Sequence, residues 1–192
     1  RGLGDVYKRQ IKSNIMIRKM NETLERVSMT DYLTGLYNRH GLSDIIANKL
    51  SQMQGRTILI LYIDLDNFKA YNDVYGFLKG DEIIKLTAKI ITKHIHALES
   101  TDAFVGHIGG DDFVAITNDD IDYEAICQDI IAEFDVEVLK LFNDTDIERK
   151  YIEVQNRKGI MEQFPLTSIS IGVVVALSLI HISEPTRQEA IS

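Results

Sequence analysis

The sequence predicts an α+β fold of ferredoxin-like layer architecture, with helices on a central antiparallel sheet and a β-hairpin carrying Gly109-Gly110-Asp111-Asp112. Three observations predict it. The run "TILILYID" at 57–64 is apolar without alternation, the pattern of a central strand covered on both faces. Helical periodicity follows it. Two short strands, 103–108 and 113–117, are then joined by two glycines and two aspartates, which suit a tight turn because glycine tolerates positive φ.

The elements follow in order. Residues 11–29 are polar except for Ile17, Met20, Leu24 and Val27, a short a/d seam suited to a parallel helix pair or to a lone amphipathic helix lying on the domain. "DYLTGLYNRHG" at 31–41 is a turn-rich connector, and a helix follows with Leu42, Ile45, Ile46, Leu50 and Met53 on one face. After the 57–64 strand, Asp66 is positioned to cap a short helix ending by Gly76. Gly80 and Asp81 open a longer helix with Ile83, Leu86, Thr87, Ile90, Ile91, Ile95 and Leu98 inward. His94 and His96 stand two apart on it, too close for a helical zinc pair, and are read as structural or exposed. Residues 122–142 form a helix, "YIEVQNRKGIMEQF" a second hairpin around 156–159, and "PLTSISIGVVV" a last strand. The first 10 residues and those after Val175 break the neighbouring periodicity and are expected to be non-native flanking sequence. The domain proper is therefore placed at 30–175.

Composition sets the bounds. With 192 residues, 45% hydrophobic and 26% charged, the chain suits one globular domain with flanking segments. A net charge of −8 and a pI near 5.1 give no footprint for DNA. Cys127, the one cysteine, excludes an internal disulfide and reads as a buried thiol, in keeping with a cytoplasmic setting. No phosphate loop, dinucleotide fingerprint, nucleophile elbow or zinc spacing occurs.

Asp64 ends an apolar strand and Asp111-Asp112 tip a hairpin. If the hairpin pairs beside that strand, the carboxylates converge and need a cation; hard oxygen ligands suit Mg²⁺ or Mn²⁺, which join carboxylates to the phosphates of a nucleotide. Two unrelated acidic turns would give the same residues, and pattern alone leaves both open.

"DYLTGLYNRHGL" at 31–42, "YIDLDNFKAYNDVYGFLKGDE" at 62–82, "GGDDF" at 109–113 and "SISIGV" at 168–173 together resemble the ordered motifs of the GGDEF family, the diguanylate cyclases. The resemblance covers about residues 30–175 and implies a fold akin to nucleotidyl cyclases and the polymerase palm. It implies condensation of two GTP into cyclic di-GMP with loss of pyrophosphate. Asp64 and Asp111 would ligate the metal through carboxylates and Leu65 through its carbonyl. Asn72 and Asp81 would read the guanine edge, with Phe77 beside them; Lys69 would steady phosphate charge. Asp111 would also accept the ribose 3′-hydroxyl proton, and Asp112 completes the catalytic loop. A homodimer is implied, formed in part by helix 11–29, as are an upstream sensory domain and a phosphodiesterase partner domain in the parent protein.

The motif departs from the family pattern in several places. Asp112 replaces glutamate and is one methylene shorter, Phe77 replaces histidine, and His107 stands where the family often has arginine. The Arg-x-x-Asp product-inhibition motif is replaced by Glu99-Ser100-Thr101-Asp102, and the phosphate-gripping C-terminal helix has no counterpart. Two function classes are therefore carried forward: a cyclase, weak or inactive in this polypeptide, and a degenerate module that binds GTP and regulates an attached domain.

Overall fold

In the computed structural model, residues 3–52, 57–98, 103–118 and 121–177 are described, and the elements follow in the order αα-β-αα-ββ-αα-βββ. Helices α1 (Leu3–Met29) and α2 (Arg39–Gln52) precede strand β1 (Thr57–Asp66). Helices α3 (Phe68–Tyr75) and α4 (Phe77–His96) lead into the hairpin β2 (Phe104–Gly109) and β3 (Asp112–Asn118). Then come α5 (Tyr123–Glu137), a 3₁₀ turn at Val138–Leu141, α6 (Asp144–Arg149), the hairpin β4 (Tyr151–Gln155) and β5 (Met161–Pro165), and β6 (Ser168–Leu177).

The main sheet runs β2-β3-β1-β6, antiparallel throughout, in keeping with the antiparallel layer architecture expected from the sequence. The helix crossover from β1 to β2 leaves a gap that β3 fills, so the hairpin is forced against β1. Parity then divides the side chains. Leu59, Leu61, Ile63 and Leu65 of β1, with Phe113 and Ala115 of β3, pack beneath α4 and α5 against Ile83, Ile90, Ile91, Ile130 and Phe134. Ile58, Val114 and Ile116 point to the opposite face, where Leu42 of α2 covers them.

This second face corrects one expectation. Both faces of β1 are covered only near Ile58; further on, Tyr62 is 46% exposed and Asp64 and Asp66 are half-buried. A single helix, α2, serves that face and does not extend over the strand's C-terminal end. The uncovered strip is where the carboxylates lie.

Several boundaries also differ. Asp66 does not cap α3: Asn67 occupies that position in the left-handed region at φ 59°, and Asp66 Oδ2 instead accepts from Ser168 Oγ and Ser170 Oγ, each at 2.8 Å. Helix α4 begins at Phe77, just after Gly76, so Asp81 lies inside it rather than at its start. The single helix expected over 122–142 ends at Glu137 and gives way to the 3₁₀ turn and α6.

Asp122 caps α5 through Ala125 N at 3.1 Å, and His94 is structural, its Nε2 2.7 Å from Glu133 Oε2. Cys127 is partly buried, and burial pushes its thiol up, away from nucleophilic chemistry. Helix α1 extends upstream of residue 11 to Leu3, and its seam does not lie on the domain: Ile17, Met20, Leu24 and Val27 are 54–65% exposed. Residues 53–56, 99–102 and 178–192, which include Met53, the Glu99–Asp102 segment and most of the expected tail, lie outside the described residues. No described helix is long and apolar enough to cross a membrane.

Candidate functional site

The hairpin turn follows from its composition. Gly109 (φ 138°) and Gly110 (φ 64°) adopt backbone conformations that a side chain would strain, and they let β2 reverse into β3 with only Gly110 and Asp111 between the paired Gly109 and Asp112. The β1–β3 register then sets Asp112 directly opposite Asp64. Two carboxylates facing across a ladder repel, and Asp111 in the turn adds a third charge nearby. The Asp64 carboxyl is held above the usual carboxylate range, first by burial and then by Asp111, Asp112 and Asp66. The convergence expected from the sequence is therefore present.

The cluster is open. Among the described residues no three acidic or imidazole groups close around one point, so a cation here would need oxygens from elsewhere to complete its shell. The β1–β3 ladder ends at the Asp64–Asp112 pair, one residue before Leu65. The Leu65 side chain is buried in the core, so only its backbone can serve the site. Carboxylates and a carbonyl are the donor set that Mg²⁺ prefers, and mutual repulsion gives the cluster a reason to bind one.

Asp112 has a partner that sequence reasoning missed: Tyr62 Oη donates to its Oδ1 at 2.7 Å. That bond, above all, pushes the Tyr62 phenol upward. Tyr62 shares the parity of Asp64 on β1, but only the strand register brings it beside Asp112. The shorter aspartate side chain is thereby tethered toward the open face of the sheet.

A second group forms where α3 meets α4. Asn72 Oδ1 is buried and has no hydrogen-bond partner among the described residues. An acceptor left so costs about 1–3 kcal/mol, and a ligand N–H would relieve it. Asn72 lies on Gly80: a Cβ there would come 1.9 Å from Asn72 Oδ1 and 3.2 Å from Phe68 Cζ. Asp81 follows, half-buried, while Phe77 is 80% exposed at the start of α4. Lys69 is exposed on α3 and lines a cavity of about 540 Å³ with Asp73, Gln155, Arg157, Glu162 and Phe164. The fold thus unites Asp64, Asp111 and Asp112 in one cluster and joins Asn72 to the Gly80–Asp81 turn of α4. Lys69 sits between α3 and the β4–β5 hairpin.

Comparison with known proteins gives the family and the fold. The family model described as "Diguanylate cyclase, GGDEF domain" matches residues 28–161. The diguanylate cyclase DgcS of Shewanella oneidensis is 38% identical over 108 residues, covering 55% of this chain and 35% of DgcS. The cyclic di-GMP phosphodiesterase PdeR of Escherichia coli is 34% identical over 101 residues, covering 53% of this chain and 15% of PdeR. The chain thus spans well under half the length of these relatives. Among solved structures, the coiled coil and GGDEF domain of DgcB from Caulobacter crescentus, in complex with c-di-GMP, superposes with a TM-score of 0.68. The identity is 22%, with 92% of this chain and 84% of that one covered, a likeness of fold.

Proposed function

Since this chain belongs to the GGDEF family of diguanylate cyclases, we propose that it binds GTP with Mg²⁺ (or Mn²⁺) and, as a homodimer, condenses two GTP into cyclic di-GMP with release of pyrophosphate. The observation that carries the reading is the Asp64–Asp112 cross-strand pair with Asp111 in the adjoining turn. Asp64 and Asp111, with the Leu65 carbonyl, are the residues that would hold the ion. When bound, a divalent ion neutralises phosphate charge and acidifies a ribose hydroxyl.

The chain's own groups have distinct tasks. Asp111 takes the proton of the 3′-hydroxyl, whose oxygen forms the new bond to the α-phosphorus as the bond to pyrophosphate breaks. Lys69 is the cation that steadies the phosphates. The orphaned Asn72 Oδ1 accepts from a guanine N–H, and Asp81 accepts beside it. Phe77 presents an exposed ring at the mouth of that site. The exposed seam of α1 pairs two copies, because each holds one of the two nucleotides that must meet. A GTP substrate places the reaction in the cytoplasm.

A second reading rests on the Tyr62–Asp112 bond. With Asp112 tethered, the module binds GTP and regulates an attached domain, such as a cyclic di-GMP phosphodiesterase, without turning the nucleotide over. Incubating the chain with GTP and Mg²⁺ separates the two. Product that disappears in Asp111→Ala supports the cyclase, and GTP binding without product supports the regulatory module. Absence of GTP binding would remove both.

Recognition of the base has its own test. Gly80 is helical, so alanine would favour the helix by about 0.5–1 kcal/mol. In Gly80→Ala, however, the added methyl must displace the Asn72 amide. GTP affinity is expected to fall about tenfold or more, equivalent to at least about 1.4 kcal/mol, measured by titration calorimetry.

A further inference from the structure

Asp64, Asp66, Asp111 and Asp112 lie together at the open end of β1, and hydrogen-bond donors are shared out among them unequally. Asp66 Oδ2 accepts from Ser168 Oγ and Ser170 Oγ on β6. Asp112 Oδ1 accepts from Tyr62 Oη at 2.7 Å. The carboxylates of Asp64 and Asp111 accept from no donor among the described residues. Asp64 has Ser170 opposite it on β6 and Asp112 opposite it on β3, and both of these are engaged elsewhere.

Strand register explains how the phenol reaches Asp112. Tyr62 pairs with Val114 and Asp64 with Asp112, so Tyr62 and Asp112 are diagonal neighbours on one face, a span that a long aromatic side chain covers. On β6 the residue opposite Tyr62 is Gly172, so no side chain there competes for the ring. The bond to Asp112 pushes the phenol upward, so it stays a donor. A carboxylate held in this way is less available to an ion than one whose oxygens are free, because the bond must first be given up.

We propose that Tyr62 is a positioning residue that withholds Asp112 from the cation, so that the ion takes the carboxylates of Asp64 and Asp111 and not a third. The absence, among the described residues, of three acidic groups around one point is in keeping with this. Mg²⁺ ordinarily joins one or two protein carboxylates to substrate phosphates. A third carboxylate would hold the ion more tightly without nucleotide and would fill a position that a phosphate oxygen needs. Tyr62 thus keeps ion binding dependent on the nucleotide. The inference rests on the ion reading of the cluster, which both functions proposed above share.

The test titrates Mn²⁺ into the full chain without nucleotide and reads bound ion from the loss of the free-ion EPR signal. Tyr62→Phe keeps the ring and removes only the hydroxyl; it is expected to tighten Mn²⁺ binding about fivefold, because Asp112 becomes free to join the shell. With Asp112→Asn also present, the same substitution should change affinity by less than about twofold. Unchanged or weaker Mn²⁺ binding in Tyr62→Phe would overturn the proposal and leave the ion site standing, as would an equal gain when Asp112→Asn is present. A chain that binds no Mn²⁺ in any variant removes the ion reading and the proposal together. With Mg²⁺ present, GTP affinity should fall about threefold or more in Tyr62→Phe, the opposite direction to Mn²⁺ alone. Anything but a fall would overturn the claim that Tyr62 keeps a position open for phosphate. If the unaltered chain binds no GTP, the functions proposed above are removed and the Mn²⁺ comparison still decides the role of Tyr62.

Discussion

Asp64→Asn is expected to reduce cyclic di-GMP formation by at least about 10²-fold while making the nucleotide-free chain more stable. The two effects have one cause. Asp64 faces Asp112 across the ladder, with Asp111 and Asp66 close enough to raise its proton affinity. A carboxyl whose folded pKa lies above its unfolded value binds more protons when folded, so stability falls as pH rises from the unfolded value through the folded one. At neutral pH the ionised group therefore opposes folding. Asparagine removes that repulsion and should raise stability by up to about 1 kcal/mol, seen as a higher urea midpoint. Mg²⁺ should stabilise the unaltered chain and have little effect on the variant. A variant that keeps its activity, or is less stable without metal, would refute the carboxylate cluster as an ion site.

The second large effect lies away from the chemistry. Asp146→Ala is expected to cost about 3 kcal/mol of folding stability, measured by urea denaturation. Asp146 is 2% exposed at α6 and collects three partners: Tyr75 Oη, Asn143 Nδ2 at 3.1 Å and Arg149 Nη2 at 2.6 Å. Removing the carboxylate leaves the Tyr75 hydroxyl and part of the guanidinium without acceptors. Burial above all pushes the Tyr75 phenol up to about 12, so it stays a donor across the working pH range. Tyr75 stacks on Tyr71 at 4.6 Å, and Phe142 meets both rings edge-on. Tyr71 Oη donates to Leu141 O at 2.7 Å. The network fastens α3, and with it Asn72, to the segment after α5. A loss below about 1 kcal/mol would show that α3 is held by its apolar contacts alone.

How far the site could be read in advance differs residue by residue. Asp64 and Asp111 were visible because each interrupts apolar sequence, and a charge that breaks such a run needs a reason. Gly109 and Gly110 were visible because turn chemistry is local. The Tyr62 tether was not, because nothing in a sequence states which tyrosine a strand register will set beside which aspartate. The approach of His107 to Asp31 was hidden for a related reason. Asp31 lies 76 positions upstream and reads as a turn residue, and the bonds within its own loop would have explained it completely.

The helices show the same division. Periodicity located the inner stripe of α4, because burial on one face demands a repeat near 3.6. It misplaced the start of the helix, because Gly76 and the packing of Asn72 on Gly80, not a capping aspartate, shape that corner. It also merged α5 with the 3₁₀ turn and gave no element for α6, where the backbone changes course to bring Phe142 and Asp146 onto α3.

By itself, the sequence determined the kind of elements, their order and the antiparallel layer architecture, and it left open whether the acidic residues would meet. Those follow from periodicity, turn chemistry and the cost of placing charge in apolar surroundings, all of which act over a few residues. Only the tertiary structure decided that the second face of β1 stays open beyond Ile58, that Tyr62 engages Asp112, and that His107 lies between Asp31 and the Gly110 carbonyl. These depend on strand register and on how far α2 extends over the sheet, contacts between residues far apart in the chain.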